Sequence, residues 1–191
     1  MATPTSLPAT FVAGNVLTAA QMNDLRGAFR ILQVVSTTKT DTFTASLAQA
    51  ATTAITGLTA SITPSSATSK VLVLAQVNAN AYRTYTESAI TILTRGGTPI
   101  CIGDAAGNRS QGTSGSGYNA NAAVYGTTTV LGIPILFLDS PATTSATTYG
   151  IDISHTGFGT ADVYVNYPKA TTDRSDHWRT TSTITVMEIS A

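Results

Sequence analysis

The sequence predicts an all-β protein: an antiparallel β-sandwich, jelly-roll-like, with a short N-terminal α-helix. About nine or ten runs with strand-like alternation recur at spacings near a dozen residues, with no helical period between them. Threonine makes up roughly a fifth of the chain, and its β-branched side chain fits a pleated sheet. Only "GNVLTAAQMNDLRGAFRIL", residues 14–32, has a helical period. We therefore divide the chain into an extended arm plus helix, residues 1–32, and a β-sandwich domain, residues 33–191.

The helix is predicted to begin at Thr18, which is a good N-cap, with Gln21 in the capping-box position three residues later. Leu17 and Met22 are placed to pack on each other as a hydrophobic staple. An apolar stripe follows at spacings of three and four residues, and it consists of Met22, Leu25 and Phe29. A helix this short is marginal alone in water, so it needs a partner surface. Either it caps the open end of its own domain, or it attaches the chain to another protein or to copies of itself.

Strand-like runs follow the helix in close succession, each bounded by Gly, Pro, Ser or Asp: "RILQVVST", "DTFTAS" and "TTAITGLTASITP". The clearest strand is "SKVLVLAQVNANAY", in which one face consists of Val71, Val73, Ala75 and Val77. Leucines on its other face predict that the strand is buried on both sides near its start. "SAITILTR" comes next, and the turn "GGTP" leads into a further strand, "PICIGD". We expect Cys101 in that strand to be a small core residue.

The second half of the chain begins with a long Gly-rich loop, "AAGNRSQGTSGSGYNANAAVYG", and then returns to strands. Gly132 and Pro134 in "TTTVLGIPILFLDS" predict a bulge or an edge position. "YGIDIS" and "ADVYVNYP" are strands, and "KATTDRSDHWRT" is a polar loop. In the last strand, "TSTITVMEIS", one face consists of Ile184, Val186 and Glu188.

The composition limits the partners. The formal net charge is zero and no basic run is present, so we expect no binding to nucleic acid or to an anionic membrane. No segment approaches the ~20 apolar residues of a membrane span, so we expect no membrane insertion. The N-terminus lacks the features of a secretory signal, which predicts folding in a cytoplasm. Charged residues make up only 10% of the chain, a surface that suits a subunit held within an assembly.

The sequence carries no motif for chemistry. It has two histidines, no phosphate-binding or dinucleotide-binding glycine motif, and no pair of histidines at metal-ligand spacing. A Ser/His/Asp set can be drawn by chance among so many serines. We therefore predict no enzymatic activity, no catalytic residue, no metal site and no cofactor.

The chemically densest stretch is "TDRSDHWRT", which contains four formal charges, one histidine and the only tryptophan within seven residues. The candidate residues of this loop are Asp173, Arg174, Asp176, His177, Trp178 and Arg179. Tryptophan beside Asp and Arg is typical both of saccharide binding and of interface anchors. Three interpretations stand: a subunit interface, a receptor or ligand contact, and a solvated loop with Trp178 folded onto the sheet. Tyr118 and Tyr125 mark the Gly-rich loop as a candidate tip loop with the same alternatives.

Five stretches resemble the small virion structural proteins of tailed bacteriophages, often described as tail-fibre or receptor-binding proteins. They are "FVAGNVLTAAQMNDLRGAFRILQVVSTTKTDTFT", "GLTASITPSSATSKVLVLA", "ILTRGGTPICIGDAAGNRS", "FLDSPATTSATTYGI" and "TSTITVMEIS". The resemblance covers nearly the whole chain, and its motifs are structural rather than catalytic.

The resemblance implies a phage β-sandwich module in the virion, made in the host cytoplasm, that forms a homotrimer. Its N-terminal helix would then be the virion anchor and would dock on other virion proteins of the tail, baseplate or capsid. A short tail fibre that binds a host cell-surface glycan and a capsid decoration protein both fit this class. A carbohydrate-binding module is the further alternative.

Overall fold

A computed structural model describes residues 14, 16, 18–19, 31–82, 86–116, 130–170, 172–175 and 177–190. The helix predicted over residues 14–32 lies almost wholly outside these ranges, but its last two residues, Ile31 and Leu32, belong to a β-strand, so the prediction is wrong at that end. Thr18 is described and exposed. The other predicted anchor residues, which lie outside the described ranges, are Leu17, Gln21, Met22, Leu25 and Phe29.

The described residues form twelve β-strands. In chain order they are β1 (Ile31–Lys39), β2 (Phe43–Leu47), β3 (Thr53–Ile62), β4 (Lys70–Tyr82), β5 (Thr86–Glu87), β6 (Ala89–Arg95), β7 (Thr98–Pro99), β8 (Ser114–Gly115), β9 (Leu131–Asp139), β10 (Thr147–His155), β11 (Ala161–Val165) and β12 (Ser182–Ile189). All of their pairings are antiparallel.

The strands form two sheets. Sheet 1 has seven strands in the order β1-β12-β4-β11-β2, with β5 and β9 also paired to β4. Sheet 2 has five strands in the order β3-β10-β6-β7, with β8 also paired to β6. Several short strands lie end to end: β1 with β2, β5 with β9, β11 with β12, and β7 with β8. Counting each such pair once leaves four rows per sheet. Along the chain the rows alternate between the sheets, except that β6 and the row of β7 and β8 follow each other within sheet 2, and this is the order of a jelly roll. The predicted jelly-roll-like sandwich is therefore confirmed.

The core lies between the two sheets, and in β4 and β12 it is built by alternation along the strand. Val71, Val73, Ala75 and Val77 of β4 all point inward and are buried, as predicted. In β12 the inward face consists of Ile184, Val186 and Glu188, also as predicted. The edge position predicted from Gly132 and Pro134 is confirmed as well, because β9 pairs with β4 and with no other described strand.

Two predictions in this part of the chain are wrong. The strand predicted over "PICIGD" ends at Pro99, because Cys101 adopts a left-handed conformation with φ of 53° that turns the chain away from sheet 2. Cys101 is consequently exposed rather than part of the core. The edge of β6 that this strand would have occupied is taken by β8, which pairs with Ile90 and Thr91.

The outer side of β4 also differs from the prediction. Leu72 is only half-buried and Leu74 is exposed, so this strand is covered on its inner face alone at this point. Alternation could not distinguish a doubly covered strand from one whose outer face carries exposed leucines.

Candidate binding pocket beside the β11–β12 loop

The loop between β11 and β12 leaves sheet 1 at Asn166, a fully buried residue with φ of 68°. Asparagine tolerates this left-handed conformation better than most side chains. Its backbone N–H donates to the Asn78 carbonyl at 2.8 Å. Its side-chain nitrogen donates to the carbonyls of Lys39 and Asp41, both at 2.9 Å, and its side-chain oxygen accepts from the Ser182 hydroxyl at 2.6 Å. Asn166 thus joins β11, β12, β4 and the β1–β2 turn at one point.

The C-terminal end of the loop, at residues 180–182, is held beside its N-terminal end at Asn166. The backbone N–H of Thr180 donates to the carbonyl of Asn166 at 3.0 Å. The Asn78 side chain donates to the carbonyl of Thr181 at 2.6 Å, and the Asn78 N–H donates to the Ser182 hydroxyl at 2.9 Å. The loop is therefore closed at its neck by hydrogen bonds, so its position on the sheet is set.

Two tyrosines pack at the base of the loop. Tyr164 points outward from β11 yet is buried, and its ring meets that of Tyr167 edge-to-face, with centroids 5.4 Å apart. Its hydroxyl donates to the Asp162 carboxylate at 3.3 Å. Burial, followed by the neighbouring Asp162 carboxylate, raises the pKa of Tyr164 to about 12. The loop thus covers the part of sheet 1 formed by β11.

A cavity of about 310 Å³ opens within this loop. Its volume is at the lower end of the range for small-molecule sites. Its lining combines an aromatic ring with one acidic, two guanidinium and one imidazole group. The lining residues are Tyr167, Pro168, Ala170, Thr172, Asp173, Arg174, His177 and Arg179.

Contacts within the lining hold its polar groups in place. The Arg179 guanidinium carbon lies 5.1 Å from the centroid of the Tyr167 ring, a cation–π arrangement. The His177 Nδ1 lies 2.9 Å from the Thr172 carbonyl oxygen, so Nδ1 carries the proton in this contact. The His177 backbone N–H donates to the Arg174 carbonyl at 3.1 Å, which closes a turn. The pocket therefore presents a cation, a carboxylate and a ring face together.

The structure brings together four of the six residues predicted for this loop: Asp173, Arg174, His177 and Arg179. Trp178 is 56% exposed and does not line the pocket. Asp176 lies outside the described residues, as do Tyr118 and Tyr125 of the predicted tip loop.

The two residues that organise the pocket, Tyr167 and Asn166, were not predicted as site residues. The sequence pattern placed Tyr167 on a strand with Val163 and Val165, but β11 ends at Val165. Nothing in the local sequence marked Asn166 as a buried hydrogen-bonding residue except its position between the alternating strand residues and Pro168. Its partners at Lys39 and Asp41 are more than a hundred residues away in sequence.

The buried ionisable groups outside the loop have structural partners. Asp139 accepts from the Arg95 guanidinium at 2.8 Å and from the Tyr149 hydroxyl at 2.7 Å. Burial, and then hydrogen bonding to Asp139, raises the pKa of Tyr149 well above its usual value.

His155 is fully buried; its Nδ1 accepts from the Gly157 N–H at 3.0 Å, and its Nε2 donates to the Leu47 carbonyl at 3.0 Å. Both ring nitrogens of His155 are thus engaged by the backbone.

Glu188 is a buried carboxylate beneath the outer strands of sheet 1. It accepts from the Ser65 N–H and hydroxyl, both at 2.7 Å, and from the Gln33 side chain at 2.7 Å. Burial acts to raise its pKa, but the hydrogen bonds from Ser65 and Gln33 outweigh this and hold the pKa below its ordinary value. The group joins β1, β12 and the β3–β4 turn.

Comparison with known proteins leaves the family open: no known protein family matches the chain, and no curated protein sequence matches it significantly. The resemblance to phage virion proteins therefore stays a prediction.

Across the ranges that the structure describes, no group of three or more His, Cys, Asp or Glu side chains is arranged to hold a metal ion. No helix within those ranges has the length and apolar character needed to cross a bilayer.

Proposed function

We propose that this protein is a non-enzymatic structural component of a tailed-phage virion. It forms a short tail fibre or adhesin, is anchored through its N-terminal helix to other virion proteins, and assembles as a homotrimer in the host cytoplasm. The resemblance of the sequence supports the virion class, and the jelly-roll fold is one that viral structural proteins and lectins use repeatedly.

The observation that carries the proposal is the pocket on the β11–β12 loop. Binding residues commonly lie on loops that a rigid scaffold positions. Here the neck at Asn166 pins a polar, aromatic loop to the outside of sheet 1. An adhesin requires this combination of a stable β domain and a surface loop with convergent polar groups.

A host cell-surface glycan is the ligand that the pocket's chemistry fits. The Arg179 guanidinium lies over one face of the Tyr167 ring, so it is the opposite face of that ring that could cover the apolar face of a sugar. The Asp173 carboxylate accepts hydrogen bonds from sugar hydroxyls, whereas the Arg179 guanidinium donates them. Both charged groups lie in the lining together with that ring.

The virion assignment is tested by electron microscopy of particles of the phage whose genome encodes the chain, labelled with gold-conjugated antibody against the purified protein. Label at the tail or baseplate is the expected result. Particles that carry no label, from a lysate in which the protein is present, would contradict a role in the virion.

The adhesin assignment is tested with the full-length purified chain on a glycan array and in competition with phage adsorption to host cells. We expect the D173A/R179A double variant to lose at least tenfold in apparent affinity. The matched control is D104A/R109A, which removes the same two charges from exposed positions in a different loop. Equal binding by the two double variants would contradict glycan recognition at this pocket.

A capsid decoration protein is the second candidate, and a separate observation favours it. The outer face of β1, β12, β4 and β9 is broad, exposed and almost uncharged, and it includes Val34, Leu136 and Leu138. Such a face could lie flat on a protein lattice. Gold label spread evenly over the head, rather than at the tail, would favour this function.

A further inference from the structure

Four strands of sheet 1 carry an outward surface that no described residue covers. We define the apolar face as three cross-strand rows on β1, β12, β4 and β9. The first row is Val34, Met187, Leu72 and Leu138; the second is Ser36, Thr185, Leu74 and Leu136; the third is Thr38, Thr183, Gln76 and Pro134. Leu136 is 70% exposed, and Val34 and Leu138 are each 54% exposed.

The chemistry of this face suits burial. None of its twelve side chains is charged, and the first row is apolar from one edge of the sheet to the other. Its hydroxyls are partly paired already, since Ser36 Oγ and Thr185 Oγ1 lie 2.8 Å apart. Lys70 lies at the rim, where its ammonium donates to the Ser140 hydroxyl at 2.7 Å. Contiguous apolar patches of this kind mark interaction sites on soluble proteins.

The size of the face suits a protein partner. Four strands about 4.8 Å apart, each contributing about five residues at ~3.3 Å per residue, span roughly 320 Å² in projection. A standard interface takes ~800 Å² of accessible surface from each partner, and corrugated side chains expose more surface than their projection. The apolar face is therefore large enough to form the centre of a stable interface.

We infer that a second copy of this chain covers the apolar face. This inference deepens the self-association in the proposed function and rests on that part of it alone. Identical faces that pack on each other are related by a two-fold axis, so the inference assigns a homodimer rather than the homotrimer. An uncharged face offers nothing to a partner that is selected by opposite charge, whereas an identical uncharged face meets it without desolvating any ion. Sheet faces pack on each other at a separation of about 10 Å by interdigitating their side chains. The exposed leucines of β4 and β9 supply such side chains.

The test is the mass of the full-length protein in solution, measured by sedimentation velocity over a range of concentrations. We expect an oligomer for the wild type and a monomer for the L136D/L138D double variant, with association weakened at least 100-fold. L136S, which introduces no charge, should weaken association about tenfold. The matched control is F158D, which places a carboxylate at a 77% exposed apolar residue in the β10–β11 loop and should leave the oligomer intact. Circular dichroism should show the same β signal for every variant.

Two results would overturn the inference. One is a monomeric wild type, which would leave the apolar face to a partner other than a second copy, such as the capsid lattice of the second candidate function. The other is an oligomer that persists unchanged in L136D/L138D and in L136S. Neither result bears on whether gold label finds the protein in phage particles, so failure of this inference is distinguishable from failure of the virion assignment.

Discussion

The two ends of the outer face of sheet 1 differ in what lies above them. At the β11 end, the chain folds a polar loop over its own sheet, and Tyr164 is buried although it points away from the core. At the other end, Leu136 and Val34 have no described residue above them and stay exposed. β4 runs through both ends of this face, so the difference lies in what the chain supplies above the sheet.

The contrast indicates that the two ends of sheet 1 are suited to different roles. The covered end is held by buried hydrogen bonds, so it gives a fixed support for a binding loop. The apolar face has no such network among the described residues, and a second copy of the chain is the cover that we infer for it. The first end is therefore suited to recognition and the second to assembly.

The largest effect is expected at the neck of the covered end. N166A removes three side-chain hydrogen bonds and leaves the Lys39 and Asp41 carbonyls without this donor. We expect a loss of about 3 kcal/mol in the free energy of unfolding, measured by urea denaturation. N166G, which suits a φ of 68°, should be less damaging than N166A by about 1 kcal/mol. A loss below 1 kcal/mol in both variants would show that the neck does not hold the loop.

The next effect is a pH dependence of the free energy of unfolding, which arises from Glu188 on the inner side of β12. The folded-state pKa of Glu188 is lowered from its ordinary value of 4.5, so its carboxylate stabilises the fold above pH 4.5. That stability is lost as the pH falls through the folded-state pKa, because the unfolded chain takes up the proton first. We expect the urea midpoint of the wild type to drop below pH 4.5 and that of E188Q to drop less. Parallel pH profiles would contradict this role for Glu188.

A smaller effect is expected within the loop itself. R179A removes an exposed cation–π contact with Tyr167 and should lower the free energy of unfolding by only about 0.5 kcal/mol. R179K is the matched control, since it keeps the charge but not the planar group. A loss above 2 kcal/mol in R179A would mean that the pocket residues support the fold rather than a ligand.

The smallest effect on stability is expected for W178A, because Trp178 is 56% exposed and does not line the pocket. The free energy of unfolding should change by no more than about 0.5 kcal/mol. The same variant distinguishes the alternatives for this residue. Lost oligomerisation in sedimentation would indicate a subunit interface at Trp178, and lost phage adsorption with the oligomer intact would indicate a receptor contact.

Local alternation in the sequence was sufficient to predict the strands with a clear inner face. β4 and β12 were predicted with the correct faces, including the inward direction of Glu188. The cluster of charges and His177 also marked the loop that forms the pocket. These features depend on neighbours in sequence, which a pattern can capture.

The failures involve competition between distant segments. "PICIGD" has the alternation of a strand, but β8, more than ten residues later, pairs with the rest of that edge of β6. Asn166 depends on carbonyls of the β1–β2 turn at the other end of the chain. Likewise, the leucines of β4 could not indicate whether the chain itself or a partner covers them.

The most direct test of this account is a cryo-EM map of the intact phage particle. We expect density for the jelly roll at the tail or baseplate, with copies in contact through the apolar face and the β11–β12 loops projecting away from the particle. A map in which the apolar face is open to solvent would contradict the assembly role. A particle without this jelly roll would contradict the virion function itself.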